Sequence, residues 1–432
     1  MRYVSTRGAA PELDFADVLL TGLASDGGLY VPAEWPSLFA GWSDRDLSYA
    51  DTATAVMWPY VRGSIDRDRF AELVSDSYAG FDDEAVTPLV ELHPGLHLLE
   101  LFRGPTLAFK DIALQLVGRL FEEELTRRDA TMTIVAATSG DTGSAAIEAC
   151  RGRDRVRIFV LHPEGRVSDV QRRQMTTVSE ANAHALALTG DFDDCQARLK
   201  DMFNDHAFRD EVHLAGVNTI NWARVLAQVV YYFTAAVSLG APHRPVSFTV
   251  PTGNFGDIFA GYLAKRMGLP IDRLVVATNQ NDILHRCLST SDYKPDGVTP
   301  SISPSMDIQV SSNFERLMFD ALGRDGAVVS ELMENLKTGG GFRIPENARA
   351  YMRQHFDADS ADEDETRERI RETYSNTGEL VCPHTAVGVK VAEEHLGATP
   401  MVTLATAHPA KFPAAVKDAC GVDAPLPPHM AD

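Results

Sequence analysis

The residue that invites a chemical reading first is Lys110, in the run GPTLAFKDIALQL at 104–116, between Phe109 and Asp111 where an apolar, helix-like stretch begins. An amine attacks carbonyl carbons when its charged form is destabilised or when the imine it forms is stabilised. A solvated lysine at an ordinary helix start is the alternative that the residue types leave open. TGNFGD at 252–257 places Gly253 and Gly256 around Asn254 and Phe255, with Asp257 following. Glycines let backbone N–H groups crowd an oxyanion, and a helix N-terminus adds partial positive charge. The stretch therefore reads as a phosphate cradle or as a plain tight turn. Neither a G-x-x-x-x-G-K-[ST] pattern nor a G-x-G-x-x-G fingerprint occurs, so a nucleotide is not the favoured phosphate carrier. TSGDTGS at 138–144 repeats the local logic with Thr138, Ser139, Gly140, Asp141 and Thr142. Its amides and hydroxyls suit a carboxylate. An Asx-type turn capping the next helix explains the same residues. Asp141 is awkward in an anion site and must face something else, such as a phenolic oxygen or a backbone amide.

Three further stretches carry polar groups at useful places. NTINWARVLAQ at 218–228 holds Asn221 and Arg224, and arginine is the natural fork for phosphate or carboxylate. A capped helix start with a surface ion pair is its alternative. SPSMDIQVSSNFERL at 303–317 ends in Asn313 and Arg316, suited to an anion or to a cap before a helix. LATAHPAKF at 404–412 puts Thr406 at a strand end, where ligands collect in parallel α/β sheets. His408 there reads as a turn residue.

The elements that must position these groups alternate. Strands are expected at 131–137, 156–163, 183–190, 273–279 and 401–409, with helical runs between them, and 246–270 reads as a strand, a Gly-rich turn and a helix. That alternation argues for an α/β architecture with mainly parallel sheets. Residues 1 to about 90 are Asp-rich and read as helices joined by loops, with a turn-like SDGGLYVP at 25–32. DADSADEDETRERIRE at 357–372 reads as a solvated helix face or loop.

A chain of 432 residues implies two or three domains. Its 61 acidic against 40 basic residues give a net charge of -21. Such a surface repels nucleic acid and anionic membranes, and any anionic substrate needs a local basic pocket. Five scattered cysteines without a C-x-x-C pair indicate neither a zinc knuckle nor a redox pair, and suit a reducing cytosol. No metal is signalled. The start lacks an apolar h-region, and no apolar stretch approaches the ~20 residues that span a bilayer.

Taken in order, GPTLAFKD, ATSGDTGSAA, NTINWARVLAQ, PTGNFGDI, SPSMDI with SSNFER, PHTAVG and TAHPAKF, preceded by YVSTRG and LASDGGLYVP, resemble the threonine synthases. These are pyridoxal-phosphate enzymes of the fold shared with the tryptophan synthase β subunit. The likeness runs over nearly the whole chain. The pairing of SGDTG with GNFGD points to this family over cysteine synthases or dehydratases of the same fold. The resemblance implies two three-layer α/β domains with parallel sheets, the type II fold of pyridoxal-phosphate enzymes, plus a mainly helical N-terminal segment. The divisions expected from it are 1–90 for that segment, 91–215 for a smaller domain with the lysine and substrate loop, and 216–432 for a larger cofactor-phosphate domain.

It further implies that Lys110 forms the Schiff base with pyridoxal 5'-phosphate. Gly253, Asn254, Phe255, Gly256 and Asp257 would hold the cofactor phosphate side, and Thr406 the pyridine nitrogen. Thr138, Ser139, Gly140, Asp141 and Thr142 would meet the substrate carboxylate, with Asp141 also near the cofactor's phenolic oxygen. Asn221, Arg224, Asn313 and Arg316, with Lys110, are candidates for the substrate phosphate. The implied reaction converts O-phospho-L-homoserine and water to L-threonine and phosphate, in the cytoplasm, by γ-elimination and β-addition of water. A phospho-lyase or threonine dehydratase-like enzyme giving 2-oxobutyrate shares the same motifs. A non-catalytic anion-binding α/β protein would lack the lysine chemistry. A homodimer is usual for the fold, and the sequence does not fix the oligomeric state.

Overall fold

Six strands make the larger sheet, in the order Phe356–Ser360, Ile271–Thr278, Val246–Pro251, Met401–Ala405, Leu96–Glu100, Leu89–His93. All neighbours are parallel except the last pair. Val246–Pro251 and Met401–Ala405 are buried at every residue, as central strands covered on both faces must be. The smaller sheet is wholly parallel, in the order Ala183–Leu188, Val156–Pro163, Met132–Ala137, Leu214–Ala215. The computed structural model describes residues 1–38 and 47–430.

Alternating side chains send each sheet into two cores. Phe248, Val250, Leu274 and Val276 join the main core, which also takes in helix Gly256–Arg266. Val275, Ala277, Met401 and Ala405 face the opposite way, onto helix Pro383–Glu394. In the smaller sheet Ile134 and Val160 face helix Asp141–Cys150, while Val135 and Leu161 face the side of helix Phe192–Asn204. Helix Trp222–Ser238 is buried along nearly its whole length, and it packs against helices Lys110–Arg127, Gly256–Arg266 and Tyr49–Val61. It therefore ties both sheets and the N-terminal segment to one spine.

The Asp-rich first segment contains helices Phe15–Thr21, Tyr49–Val61 and Arg67–Tyr78. Part of its acidity is capping chemistry: Asp14 and Asp66 accept from amides of their own first turns. Asp26 closes the turn before Tyr30 by accepting from Ser5 Oγ and the amides of Gly28, Ala9 and Ala10. The segment also holds an antiparallel strand pair, Tyr3–Ser5 with Tyr30–Pro32, that the expectation of helices and loops did not include.

The acidic run at 357–372 is the mostly solvated helix expected from residue 363 on, and departs from that expectation in its first residues. Its first residues form the edge strand Phe356–Ser360, parallel to Ile271–Thr278. The remainder is helix Glu363–Thr377, opened by a reciprocal cap between Asp362 and Glu365. Aspartates on an edge strand keep unpaired backbone from recruiting another chain. The expected cut at 91 does not follow the sheets either, because Leu96–Glu100 pairs with Met401–Ala405 in the larger one. Residues 39–46 of the expected first segment and 431–432 of the last lie outside the described residues.

Candidate active site

Lys110 is the first residue of helix Lys110–Arg127, and that start carries no side-chain cap. The preceding turn is fixed by Asp111, whose carboxylate accepts from the Thr106 amide at 2.7 Å and from Thr106 Oγ1 at 2.6 Å. Burial pushes the Asp111 carboxyl up to about 6. Gly104 must be glycine for this packing, since a Cβ there would lie 2.6 Å from Asp111 Cβ. Lys110 itself is 8% exposed, with its amine 5.0 Å from the Phe109 ring centre and 3.8 Å from Asp141 Oδ2. Burial pushes that amine down to about 8; Asp141 opposes the shift, while the charges of Lys411 and Arg224 add to it.

The 138–144 turn follows strand Met132–Ala137. Thr138 Oγ1 accepts from the amides of Gly140 and Gly143 at 2.9 and 2.8 Å, which folds the turn onto its own hydroxyl. Asp141 Oδ1 accepts from Lys411 Nζ at 2.9 Å and Gln171 Nε2 at 2.9 Å. Against the desolvation of burial, Lys411 and Lys110 hold the Asp141 carboxyl well below the usual carboxylate range. The partner required for Asp141 is therefore a pair of lysines and a side-chain amide. Ser139 and Thr142 are half-buried at the rim of the same turn.

The 252–257 turn follows the buried strand Val246–Pro251. Phe255 has φ 66, in the left-handed region that bulky residues avoid. Its buried ring packs against Phe314 and Phe356 at 5.3 and 5.5 Å, which holds the conformation in place. A Cβ on Gly253 would lie 2.6 Å from the Ser305 carbonyl oxygen, and one on Gly256 would lie 3.0 Å from Thr219 Cγ2. Asn254 Oδ1 accepts from the Gly256 amide at 3.0 Å. The other amides opening helix Gly256–Arg266 have no acceptor within the helix. Asp257 Oδ1 accepts from Tyr231 and, at 3.0 Å, from Tyr232, while its buried Oδ2 has no partner among the described residues. Burial pushes the Asp257 carboxyl up to about 7, against both tyrosines and the charge of Lys110.

The 218–224 turn wedges against this loop. Thr219 Oγ1 accepts from Asn254 Nδ2 at 2.8 Å and Asn313 Nδ2 at 3.0 Å. Asn221 caps helix Trp222–Ser238 and donates to the Leu19 carbonyl at 2.7 Å. Arg316 donates to the carbonyls of Tyr30, Thr219 and Ile220 at 3.1, 2.9 and 2.7 Å, stacked over Trp222, and also binds Asn313. Asn221 and Arg316 are thus engaged with backbone, fastening the N-terminal segment to the loop. Arg224 differs. It gives one bond, Nη1 to the Val217 carbonyl at 2.6 Å, and its buried Nε has no acceptor among the described residues. Burial pushes its guanidinium down to about 10.

Thr406 directly follows the Met401–Ala405 strand, 6% exposed, and its carbonyl accepts from the Phe109 amide at 2.8 Å, beside Lys110. His408 is a turn residue, as expected; its Nδ1 accepts from the Ala410 amide at 3.1 Å. Four participants carried no signal of their own in the sequence: Gln171, Tyr231, Tyr232 and His384. His384 Nε2 accepts from the Ser305 amide at 3.1 Å, and burial pushes the ring down to about 4. PHTAVG pointed to the last of these only as part of a resemblance.

Charge accounting tests what would fit here. Lys110, Arg224 and Lys411 are all buried, and Asp141 is the carboxylate in ion-pair range of the two lysines. Arg224 pairs with no carboxylate among the described residues. Of the 252–257 amides, Thr252 donates to the Ala277 carbonyl and Gly256 to Asn254 Oδ1, while the other amides that open the helix have no acceptor within it. Buried cations without counter-charge are costly. An amine for a carbonyl, an amide cradle and an orphaned guanidinium fit a compact organic phosphate that carries an aldehyde.

Comparison with known proteins leads to the same place. Residues 2–78 match the family model "Threonine synthase N terminus", 81–335 match "Pyridoxal-phosphate dependent enzyme", and 385–432 match "Threonine synthase, C-terminal". The threonine synthase of Pseudomonas aeruginosa is 54% identical, over 100% of this chain and 93% of that protein. That of Schizosaccharomyces pombe is 44% identical, over 96% and 88%. The solved structure of PLP-bound threonine synthase from Brucella melitensis superposes with a TM-score of 0.98 at 56% identity, covering 100% of this chain and 94% of that one. The yeast enzyme's structure gives 0.93 at 41%, covering 100% and 92%. The chain therefore belongs to the threonine synthase family of pyridoxal-phosphate-dependent enzymes, and its two parallel-rich sheets are the type II fold of that class.

Proposed function

We propose that this chain converts O-phospho-L-homoserine and water to L-threonine and phosphate, with Lys110 as the catalytic residue. The observation that carries the reading is the Lys110 amine itself, buried, pushed down to about 8, and facing Asp141 at 3.8 Å. Pyridoxal phosphate, when bound, supplies the electron sink that acidifies the carbons beside the substrate nitrogen. Lys110 would hold its aldehyde carbon, the amides of Gly253, Asn254, Phe255 and Asp257 its phosphate beside Gly256, whose amide Asn254 Oδ1 engages, and Thr406 its ring nitrogen. A neutral hydroxyl at that nitrogen does not enforce a protonated ring.

Once substrate takes its place, Lys110 is a free amine whose proton affinity suits transfer near neutral pH. It takes a proton from Cα and then one from Cβ, returns one at Cγ after phosphate leaves, and returns one at Cα once water has added its hydroxyl at Cβ and given up a proton. Ser139 and Thr142 offer the substrate carboxylate their hydroxyls, on a turn that Asp141 and Thr138, which accepts from the Gly140 amide, keep in shape. Arg224, with its uncommitted buried Nε, is the best-placed ligand for the substrate phosphate. Asn221, Asn313 and Arg316 brace the turn that presents it. Water adds at Cβ only after elimination, so closure of the smaller unit over the substrate belongs to the mechanism. Cytoplasmic residence is supported by five free cysteines, and among the described residues no helix is long and apolar enough to cross a membrane. A homodimer is consistent with the fold.

The test is a visible spectrum of the purified protein with O-phospho-L-homoserine, with product identified in the same tube. A yellow band lost in Lys110→Ala, with threonine and free phosphate formed, is the expected result. Formation of 2-oxobutyrate instead would move the function to a phospho-lyase. A protein that pyridoxal phosphate cannot colour would overturn the cofactor assignment.

A further inference from the structure

Asp141 stands between two lysines that come from different parts of the chain. Its Oδ1 is held by Lys411 Nζ and Gln171 Nε2, each at 2.9 Å, and its Oδ2 lies 3.8 Å from Lys110 Nζ. The second distance is beyond a hydrogen bond. Lys411 closes the short turn Pro409–Lys411 after the strand Met401–Ala405, some 300 residues from Lys110 by sequence, and is 0% exposed. Its amine also donates to the Thr106 carbonyl at 2.6 Å and reaches Ser144 Oγ at 3.5 Å, so three partners meet its three protons. Gln171 is fixed at its other end, where Oε1 accepts from the Ser168 amide at 3.0 Å. Gly140 leaves room for it, since a Cβ there would lie 2.3 Å from the Gln171 amide carbon.

On the threonine synthase reading proposed above, we infer that Lys411 is a positioning residue: with Gln171 it anchors one oxygen of Asp141 so that the other faces the Lys110 amine without closing a hydrogen bond, leaving that amine free to exchange protons. Two effects of losing Lys411 share a sign. A released Asp141 can approach Lys110 and stabilise its charged form, and a repelling positive charge disappears. The other groups that bear on Lys110 are Arg224 from helix Trp222–Ser238, Asp257 from helix Gly256–Arg266, His384 from helix Pro383–Glu394, and Asp111 on its own helix. Burial keeps His384 neutral above about 4, and Asp111 and Asp257 titrate at about 6 and about 7, below the Lys110 value of about 8.

The experiment follows the growth of the visible band when pyridoxal phosphate is added to the cofactor-free full chain across pH 6.5 to 10. Only the neutral amine attacks the aldehyde, and ionisations of the reagent cancel between variants. Lys411→Met is expected to raise the midpoint of the rate profile by about one pH unit, making band growth about fivefold slower at pH 8. Lys411→Arg, which keeps a cation and donors, restores most of the shift. If Lys411→Met does not fold, Gln171→Met removes no charge and must still raise the midpoint by roughly a few tenths of a unit. A folded Lys411→Met, or failing that a folded Gln171→Met, with the wild-type midpoint overturns the inference alone, provided the wild type colours and makes threonine. A wild type that forms no band overturns it together with the function on which it rests.

Discussion

The two glycine-rich turns are built on one local plan and used in opposite ways. Each follows a parallel strand and opens a helix with an aspartate in its first turn, Asp141 in one and Asp257 in the other. In the 138–144 turn, Thr138 Oγ1 already takes two amides, and Asp141 is clasped by Lys411 and faced by Lys110. In the 252–257 turn, Asn254 takes one amide, and Asp257 has two tyrosine hydroxyls on a single oxygen. The lysines hold Asp141 well below the carboxylate range against the cost of burial; burial without a cation in contact pushes Asp257 up to about 7. Residue type and place in the motif are the same, so the tertiary neighbours set the charge. An ionised carboxylate under a phosphate cradle would repel its ligand, whereas one beside a reacting amine can tune it.

The strongest test of this contrast removes its shared focus. Lys110→Ala is expected to lower threonine formation by at least about a thousandfold and abolish the visible band, both read on one sample. Next come the two aspartates. Asp141→Asn leaves two buried lysines without their carboxylate and should cost about 3–5 kcal/mol in denaturant melts near neutral pH. Because the folded-state value of Asp141 is depressed, its contribution is present above the unfolded carboxylate range, near pH 4, and fades as pH falls through the folded value. Asp257 runs the other way. Its raised value means that its contribution is full below about pH 4 and is lost as pH rises through about 7. Asp257→Asn should therefore fall behind the wild type at pH 5 and catch up by pH 8, a relative swing on the order of 3 kcal/mol. Equal pH dependence in the two variants would break the comparison.

The glycines sharpen it at a smaller scale. Gly253→Ala drives a Cβ to 2.6 Å from the carbonyl oxygen of Ser305, a residue whose amide donates to His384 Nε2. About 1–3 kcal/mol of overpacking should appear as a roughly tenfold or greater loss of pyridoxal-phosphate affinity by titration. Gly140→Ala meets the Gln171 side chain at 2.3 Å and a φ of 135, so its roughly 1–3 kcal/mol should appear in stability, with a disturbed Lys110 pH profile. Cofactor affinity lost equally in both would show that the turns do not divide the work.

How far these arrangements could be read from the sequence follows the range of the forces involved. The strands at 132–137, 156–163 and 246–251 are rich in apolar and β-branched residues, and the turns after the first and the third announce themselves with glycine, so the helix starts at Asp141 and Gly256 were legible. The edge strand Phe356–Ser360 was not, because FDADS is half-buried and its aspartates read as solvated surface. The pairing of Tyr3–Ser5 with Tyr30–Pro32 is equally silent, since three-residue strands leave no period to detect. Lys110, Asp141 and the glycines were visible as candidates. Their ionisation was not, because it depends on Lys411, Tyr231 and Tyr232, which approach only when the sheets are assembled. Asn221 and Arg316 show the converse: polar residues beside a ligand loop look like ligands until their backbone partners, Leu19 and Tyr30, are known.

The smallest effect separates the turns by how their amides are used. Thr138→Ala strands two amides that its hydroxyl now accepts, a loss of about 2 kcal/mol. Asn254→Ala strands one, at Gly256, and breaks the bond to Thr219, a loss of about 1–2 kcal/mol. The Gly256 amide freed in Asn254→Ala belongs to the turn that opens helix Gly256–Arg266, so a phosphate bound at that helix start would accept from it. Melts with and without saturating pyridoxal phosphate should thus show the Asn254→Ala deficit shrinking when ligand is present, and the Thr138→Ala deficit unchanged. A Thr138→Ala deficit that shrank as much would mean that both turns offer their amides to the same phosphate, and the division between a cradle and a locked turn would fall.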